Sequence, residues 1–203
     1  MQLPPRIALA TRNAHKLREL RRICAEWRVE WVTVETDDQA DFPDVEETGE
    51  TYLDNALLKA RAVAAALGMA ALADDSGIEV DPLGGGPGPR SARYAGDGAT
   101  DEENLQALIR AIRGIPGSGR TARYRCVAVL ALPDGTAVHA EGVCEGTLRT
   151  KRAGEGGFGY DPIFVPVGWD ETMAELTDEQ KDRISHRGRA FRGLLETLRD
   201  RSA

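Results

Sequence analysis

Short apolar segments alternate along the chain with segments whose apolar residues recur at helical spacing, and this alternation limits the fold class most. Residues 7–10 are a short apolar run, and residues 17–27 place large apolar side chains at helical spacing. Residues 53–67 repeat the helical spacing and precede the apolar run 70–73. Residues 121–148 are two extended segments joined by Pro-Asp-Gly, which predicts a β-hairpin. Strands interleaved with helices, together with one hairpin, predict an α/β fold with a mixed sheet.

Local signals extend this prediction to the segments between those elements. Residues 29–34 alternate and are β-branched, which predicts a second strand, and residues 35–50 are a polar, acidic connection. Residues 82–98 contain six Gly and three Pro and are predicted to form an ordered loop. The last ~30 residues are predicted to form one or two helices.

Three helix boundaries have recognisable signals. Thr48 or Thr51 is the candidate N-cap of the long second helix, and Gly68 is well placed to end it. Residues 100–103, Thr-Asp-Glu-Glu, predict a capping box at the start of a third helix.

Length and charge limit the possible classes of protein. The chain has 203 residues with 41% hydrophobic composition, which fits a single folded domain over residues 1–203. Its formal net charge of −7 argues against a protein that coats nucleic acid or an anionic membrane. We therefore expect neither a nucleic-acid polymer nor a membrane among its partners.

The cysteines and the apolar segments indicate where in the cell the protein is expected. Cys24, Cys126 and Cys144 are odd in number, far apart and without a CxxC pair, so we predict free thiols in a reducing compartment. The first apolar run is too short for a signal peptide, and no segment approaches the ~20 apolar residues of a membrane span. The predicted location is the cytoplasm.

The loop after the first strand is a candidate phosphate-binding segment. A strand, a short polar loop and a helix direct free backbone N–H groups at the space above the strand end. Thr11 and Asn13 add a hydroxyl and an amide, and Lys16 adds a cation. A Walker A motif is absent from the sequence, and a purely structural turn is the alternative interpretation.

Two consecutive carboxylates follow the apolar run 70–73. Asp74 and Asp75 are predicted at the end of a strand with one side chain toward each face, and Gly77 is predicted to let the chain bend before the strand resumes at residues 78–80. Carboxylates facing a cleft commonly hold Mg2+ beside substrate phosphates, and Glu46 or Glu47 could complete the set. The alternative is a solvated or capping role for these acids.

A third cluster lies in the C-terminal part of the sequence. Lys181, Ser185, His186 and Arg187 supply two cations, a hydroxyl and an imidazole, which suit an anionic or carbonyl-bearing ligand. In the preceding segment 158–161, Phe-Gly-Tyr-Asp, an aromatic ring could stack on a flat base and the aspartate could accept from a ring N–H. The alternative places both aromatic rings in the core and the histidine at a helix end.

Together these clusters resemble one family, the inosine triphosphate pyrophosphatases, also called the Ham1 family. The matching stretches occur in order from about residue 6 to residue 195, and the ordered set is far more specific than any one motif. They are Ala10-Thr11-Arg12-Asn13-Ala14-His15-Lys16, Glu46-Glu47-Thr48-Gly49, Asp54-Asn55-Ala56, Ala73-Asp74-Asp75-Ser76-Gly77, Leu83-Gly84-Gly85, Pro87-Gly88, Ser91-Ala92-Arg93-Tyr94, Gly156-Gly157-Phe158-Gly159-Tyr160-Asp161-Pro162, Lys181 and Ser185-His186-Arg187.

The resemblance implies a fold, an assembly and a set of site residues. The fold is α/β with a central mixed β-sheet flanked by helices, in two lobes with an active-site cleft between them, and the assembly is a homodimer. Asp75 is implied as the metal ligand and catalytic base, with Glu46 favoured over Glu47 as its acidic partner for Mg2+. The residues implied to contact the nucleotide are Thr11, Arg12, Asn13, Ala14, His15, Lys16, Ser76, Lys181, His186 and Arg187, and those implied to line the base pocket are Phe158, Gly159, Tyr160 and Asp161. Arg12 stands where the family often has glycine.

The expected reaction is attack of water on the α-phosphate of a purine nucleoside triphosphate with release of pyrophosphate. The expected substrates carry a 6-carbonyl, as in ITP, dITP, XTP and dXTP, because donors such as Arg187 or backbone N–H groups would pair with that oxygen. One alternative is a Maf-like pyrophosphatase acting on pyrimidine or modified nucleotides. Others are a nucleotide sensor without turnover and a structural dimerisation domain.

Overall fold

The computed structural model describes residues 3–35 and 42–200, so the connection predicted over residues 35–50 lies partly outside the described residues. The strands are β1 (Arg6–Leu9), β2 (Glu30–Val32), β3 (Ala71–Val80), β4 (Thr121–Ala131), β5 (Ala137–Leu148) and β6 (Phe164–Pro166). The α-helices are α1 (Ala14–Ile23), α2 (Tyr52–Leu67), α3 (Asp101–Ile112), α4 (Asp178–Ile184) and α5 (His186–Asp200). Short 3-10 turns occupy Ala25–Trp27, Asp81–Leu83, Gly88–Arg93, Gly117–Gly119 and Asp161–Ile163.

The six strands form one mixed sheet in the order β2-β1-β3-β4-β5-β6. β1 is parallel to both β2 and β3, whereas β5 is antiparallel to β6. β4 and β5 are neighbours joined by a tight turn, in which the Leu132 N–H donates to the Thr136 carbonyl over 2.8 Å. The predicted α/β fold, mixed sheet and hairpin are confirmed.

The chain divides into two compact units, each with its own core. Among the described residues, unit 1 contains 3–35, 42–75, 126–142 and 187–200, and unit 2 contains 76–125 and 143–186. Within the described part of the chain, no helix is both long enough and apolar enough to cross a membrane.

In unit 1 the strand residues alternate between two apolar clusters, one on each face of the sheet. Ile7 and Leu9 of β1 pack in one cluster with apolar residues of α1 and α5. Ala8 and Ala10 pack in the other cluster with α2. Because successive strand residues point to opposite faces, four consecutive apolar residues serve two helical layers.

In unit 2 the core forms around α3. Leu105, Leu108 and Ile112 are fully buried there with Ile78 of β3 and Phe164 of β6. This core holds the segments on both sides of the 3-10 turn Asp161–Ile163.

The predicted helix boundaries are largely confirmed. Thr51, and not Thr48, caps α2 through a capping box with Asp54, and Gly68 ends the helix at φ 60°. The capping box of Thr100 with Glu103 begins α3 as predicted. The first helix is shorter than its apolar pattern indicates, because Trp27 lies on a separate 3-10 turn that ends at Arg28 with φ 53°.

The bend predicted at Asp74-Asp75-Ser76-Gly77 is wrong. β3 runs without interruption from Ala71 to Val80, so both aspartates lie in the middle of a strand and not at its end. β3 has hydrogen-bonded neighbours on both sides, β1 and β4. β1 pairs with β3 at Ala71 and Leu72, before the aspartates, so the position of β3 in the sheet beside β4 outweighs the turn preference of an Asp-Ser-Gly sequence.

Candidate active site

One face of β3 in unit 1 carries a buried ionic network around Asp74. The Lys16 Nζ lies 3.1 Å from Asp74 Oδ2, and Nε and Nη2 of Arg187 each donate to that oxygen over 3.2 Å. Nη1 of Arg187 donates to Glu19 Oε2 over 2.5 Å. α1 therefore supplies Lys16 and Glu19, and the first turn of α5 supplies Arg187.

The network keeps Asp74 ionised although it is fully buried. Burial alone would raise the pKa of Asp74, but Lys16, Arg187 and Lys59 outweigh it and hold that pKa well below its usual value. Burial would lower the pKa of Arg187, and Asp74 and Glu19 raise it instead. Arg187 is only 2% exposed, so its guanidinium is committed to these two carboxylates.

The opposite face of β3 carries the neighbouring carboxylate, Asp75, against α2. Asn55 Nδ2 donates to Asp75 Oδ2 over 3.1 Å, and Lys59 Nζ lies 3.5 Å from Asp75 Oδ1. Asn55 and Lys59 are four residues apart on one face of α2. The prediction that the two aspartates point to opposite faces is confirmed.

A glycine makes the approach to Asn55 possible. The Gly49 N–H donates to Asn55 Oδ1 over 2.7 Å, and a Cβ at Gly49 would lie 2.6 Å from that same oxygen. The segment that carries Glu47 is therefore held against the start of α2 by a contact that only glycine permits.

Burial dominates the electrostatics of Asp75. It raises the pKa of Asp75, and the nearby Lys59 and Lys16 counter it only in part. The pKa of Glu47 is lowered, since Lys59 more than offsets the effect of burial. A carboxyl group with a raised pKa accepts a proton more readily from a bound water.

The carboxylates on this face fit a hard divalent cation. Glu47 Oε1 lies 2.5 Å from Lys59 Nζ, which is also close to Asp75, so oxygen atoms of both acids converge on one positive charge. Glu46 is exposed. No group of three or more His, Cys, Asp or Glu residues is placed to hold a metal within the ranges that the structure describes. Mg2+ usually takes only one or two protein carboxylates and completes its shell with phosphates and water.

The loop before α1 is held by its own side chains. Asn13 Oδ1 accepts from the N–H groups of His15 and Lys16 over 2.9 and 3.1 Å, and Thr11 Oγ1 accepts from the Asn13 N–H over 3.2 Å. Arg12 has no left-handed backbone angle, and its Nη2 donates to the Phe42 carbonyl over 2.6 Å. Residues 12–15 are exposed, and the last two of them, Ala14 and His15, begin α1.

Unit 2 holds a second polar cluster, around Asp161. Lys181 Nζ lies 2.6 Å from Asp161 Oδ2, and the Phe158 N–H donates to the same oxygen over 2.9 Å. The Tyr124 hydroxyl donates to Asp161 Oδ1 over 3.2 Å. Lys181 Nζ also lies 5.2 Å from the centroid of the Phe158 ring.

Two aromatic rings complete the surroundings of this cluster. The His186 ring stacks on Tyr124 with centroids 4.6 Å apart and an interplanar angle of 9°. The Tyr160 ring is buried, and its hydroxyl donates to the Ser91 carbonyl over 2.7 Å, so Tyr160 belongs to the core. Phe158 and Gly159 are partly exposed, as is Ser76.

The structure regroups the residues that the sequence places together. Lys181 and His186 join Asp161, Phe158 and Tyr124 in unit 2. Arg187, the next residue along the chain, joins Asp74 and Lys16 in unit 1. Ser185 is the C-cap of α4, and α5 begins at His186.

Four side chains that contact these clusters have no role predicted from the sequence. They are Glu19, Asn55, Lys59 and Tyr124. Glu19 has a detectable signal, because it is a charged residue beside Leu20 on the buried face of α1. Lys59 and Tyr124 have no local signal, since long-range packing alone brings them to Asp75 and Asp161.

The fold and the cluster on β3 define a class: an α/β protein in which partly buried lysines and two adjacent buried carboxylates suit a cation and a phosphate-bearing ligand. The chain belongs to the Ham1 family, whose family model matches residues 7–197. It is 52% identical over 195 residues to the dITP/XTP pyrophosphatase of Streptomyces coelicolor, covering 96% of this chain and 98% of that protein.

Solved structures agree with this assignment. The HAM1 protein from Coxiella burnetii superposes with a TM-score of 0.85 at 37% identity, over 97% of this chain and 100% of that one. The nucleoside-triphosphatase / dITP/XTP pyrophosphatase from Mycobacterium abscessus is 44% identical, with a TM-score of 0.74 over 94% of this chain and 98% of that one.

Proposed function

We propose that the chain hydrolyses nucleoside triphosphates to the monophosphate and pyrophosphate, with non-standard purine nucleotides (ITP and dITP, XTP and dXTP) as substrates. Membership of the Ham1 family and the names of the similar pyrophosphatases support this assignment. The observation that carries it is the pair Asp74 and Asp75. These adjacent carboxylates lie on opposite faces of one strand, and their environments move their pKa values in opposite directions. Such divergence assigns different tasks to two acids.

In this proposal Asp75 accepts a proton from the water that attacks the α-phosphate. Asn55 holds the carboxylate in place through Oδ2, and Lys59 lies 3.5 Å from Oδ1. Asp74 stays ionised and fixes Lys16, whose ammonium neutralises phosphate charge. The residues assigned to the phosphates are Thr11, Arg12, Asn13, Ala14, His15, Lys16 and Ser76.

Mg2+ is the proposed cofactor, held by Asp75 and an acid of the pair Glu46 and Glu47. When bound it would neutralise charge on the phosphates and help to order the attacking water. Glu47 is the counter-ion of Lys59, so we assign the second ligand to the exposed Glu46 and keep Glu47 as the alternative.

The base is assigned to the cluster of unit 2. Phe158 offers a partly exposed ring for stacking, and Asp161 offers a carboxylate oxygen to a ring N–H. The remaining residues of this proposed pocket are Gly159, Tyr160, Lys181 and His186. Arg187 is committed to Asp74 and Glu19, so backbone N–H groups are the proposed donors to the 6-carbonyl.

A nucleotide panel tests the proposal. ITP, XTP, GTP, ATP and the pyrimidine triphosphates are assayed for pyrophosphate against orthophosphate, with and without Mg2+. We expect Mg2+-dependent pyrophosphate release that is fastest with ITP and XTP. Fastest release with pyrimidine nucleotides would favour the Maf-like alternative, and binding without release would favour a sensor.

Single substitutions assign the acids. Asp75→Asn is expected to lose at least about 90% of turnover with the fold intact, since a general base contributes roughly 100-fold or more. Glu46→Gln is expected to raise the Mg2+ concentration for half-maximal rate, and Glu47→Gln to leave it closer to that of the parent. A larger increase in that Mg2+ concentration for Glu47→Gln than for Glu46→Gln would identify Glu47 as the ligand.

The proposal also covers the whole chain. We propose that it acts as one pyrophosphatase domain over residues 1–203, as a homodimer, in the cytoplasm. A single cooperative unfolding transition and a dimer mass by light scattering are the expected results. Two separate transitions would contradict the single domain, and a monomer mass would contradict the homodimer.

A further inference from the structure

Tyr124 contacts two of the polar side chains that are assigned to the base in unit 2, Asp161 and His186. It lies on β4, and only 7% of its surface is exposed. Its hydroxyl donates to Asp161 Oδ1 over 3.2 Å, and its ring stacks on His186 at 4.6 Å. One side chain thus sets the position of the carboxylate and of the imidazole together.

The Tyr124 hydroxyl also limits what Asp161 can still accept. A carboxylate has about four acceptor positions. Lys181 and the Phe158 N–H occupy two of them at Oδ2, and the Tyr124 hydroxyl occupies one at Oδ1. Among the described residues no other donor reaches this carboxylate, so one acceptor position is left for a ligand.

A carboxylate with one open acceptor position distinguishes purines that differ in their substituent at the 2-position. Hypoxanthine presents a single N–H beside its 6-carbonyl, and one oxygen lone pair satisfies it. Guanine presents the same N–H together with an adjacent 2-amino group. A carboxylate with one open position pairs only one of these donors, and an unpaired buried donor is costly.

We infer that Tyr124 is a specificity-determining residue that disfavours guanine nucleotides, because its hydroxyl occupies an acceptor position of Asp161. Removing this hydroxyl opens a second position on Oδ1 and lets Asp161 pair both guanine donors. The inference rests on the proposed function and on the assignment of the base to this cluster. It gives Tyr124 a positioning role and no contact with the reacting phosphate.

The test compares ITP and GTP hydrolysis by the full-length protein and its Tyr124→Phe variant. Phenylalanine keeps the ring that stacks on His186 and removes only the hydroxyl. We expect the ratio of kcat/KM for ITP to that for GTP to fall about tenfold, the effect of one hydrogen bond to a charged group. The change in this ratio should come from a lower KM for GTP, and the dependence of the rate on Mg2+ concentration should be unchanged.

Tyr52→Phe is the matched control, since it removes another buried tyrosine hydroxyl, at the start of α2 in unit 1. Its ITP-to-GTP ratio should equal that of the parent. If Tyr124→Phe changes kcat/KM for ITP and for GTP by the same factor, or shifts their ratio by less than about threefold, the inference is wrong while the proposed function stands. If the parent protein releases pyrophosphate from neither nucleotide, both are wrong.

Discussion

At the scale of single residues, Gly157 shows how closely the candidate base cluster is packed. A Cβ at this position would lie 2.1 Å from Asp161 Oδ2, and the backbone has φ +69°. Any side chain would therefore displace the carboxylate that Lys181 and the Phe158 N–H hold.

Gly157→Ala is accordingly expected to lower kcat/KM for ITP roughly 100-fold, through strain and loss of at least one charge-assisted hydrogen bond. Steady-state kinetics measures this effect. Gly168→Ala is the control, because Gly168 has φ +85° with nothing within 4 Å of the added Cβ. Equal activity losses in both variants would show that strain alone is responsible.

Arg187 gives a second prediction at this scale, on stability. Replacing it with methionine leaves Asp74 and Glu19 buried without their shared guanidinium. We expect the free energy of unfolding to fall by about 3–5 kcal/mol, measured by urea denaturation. Arg189→Met, at an exposed position of the same helix, should change it by less than about 1 kcal/mol. A small effect at Arg187 would contradict the importance assigned to this network.

At the scale of elements, α2 carries the partners of Asp75. Thr51 is the N-cap of this helix, and its side chain accepts from the Asp54 N–H, next to Asn55. The geometry at Asp75 therefore depends on a well-formed N-terminus of this helix.

Thr51→Ala removes the N-cap, and we expect a loss of about 1 kcal/mol in the free energy of unfolding, together with lower kcat. Thermal unfolding and kinetics provide the two measurements. Thr51→Ser retains the capping hydroxyl and should behave like the parent. Destabilisation by serine equal to that by alanine would show that the cap is not the cause.

At the scale of the whole molecule, the buried charges of unit 1 make stability depend on pH. The pKa of Asp74 is held well below its unfolded value, which is about 3.9. A group with a lowered folded-state pKa contributes its full stability above the unfolded pKa and loses it as the pH falls toward the folded pKa.

We therefore expect the free energy of unfolding to decrease as the pH is lowered beyond about 4. Asp74 should contribute up to roughly 1.4 kcal/mol per pH unit to this decrease. Urea denaturation at pH 7, 4 and 3 with EDTA measures this slope. Asp74→Asn should be less stable at pH 7 and show a shallower acid slope. An unchanged slope in that variant would assign the acid sensitivity to other carboxylates.

Much of the fold follows from local sequence. The alternation of strands and helices, the hairpin at residues 132–136 and the boundaries at Thr51 and Gly68 depend on neighbouring residues, and the structure confirms them. The ordered motifs are also enough to indicate the family, and the match over residues 7–197 confirms it.

The tertiary structure alone decided how the polar side chains are grouped. Gly77 is typical of a bend, but β3 continues through it as far as Val80. His186 and Arg187 are adjacent in the chain, yet one stacks on Tyr124 and the other pairs with Asp74. These contacts join residues far apart in sequence, so they depend on strand order and helix faces that no local pattern encodes. Asp74 and Asp75 show the division well: the sequence alone predicts that they point to opposite faces, and only the packed structure decides which of them is the stronger base.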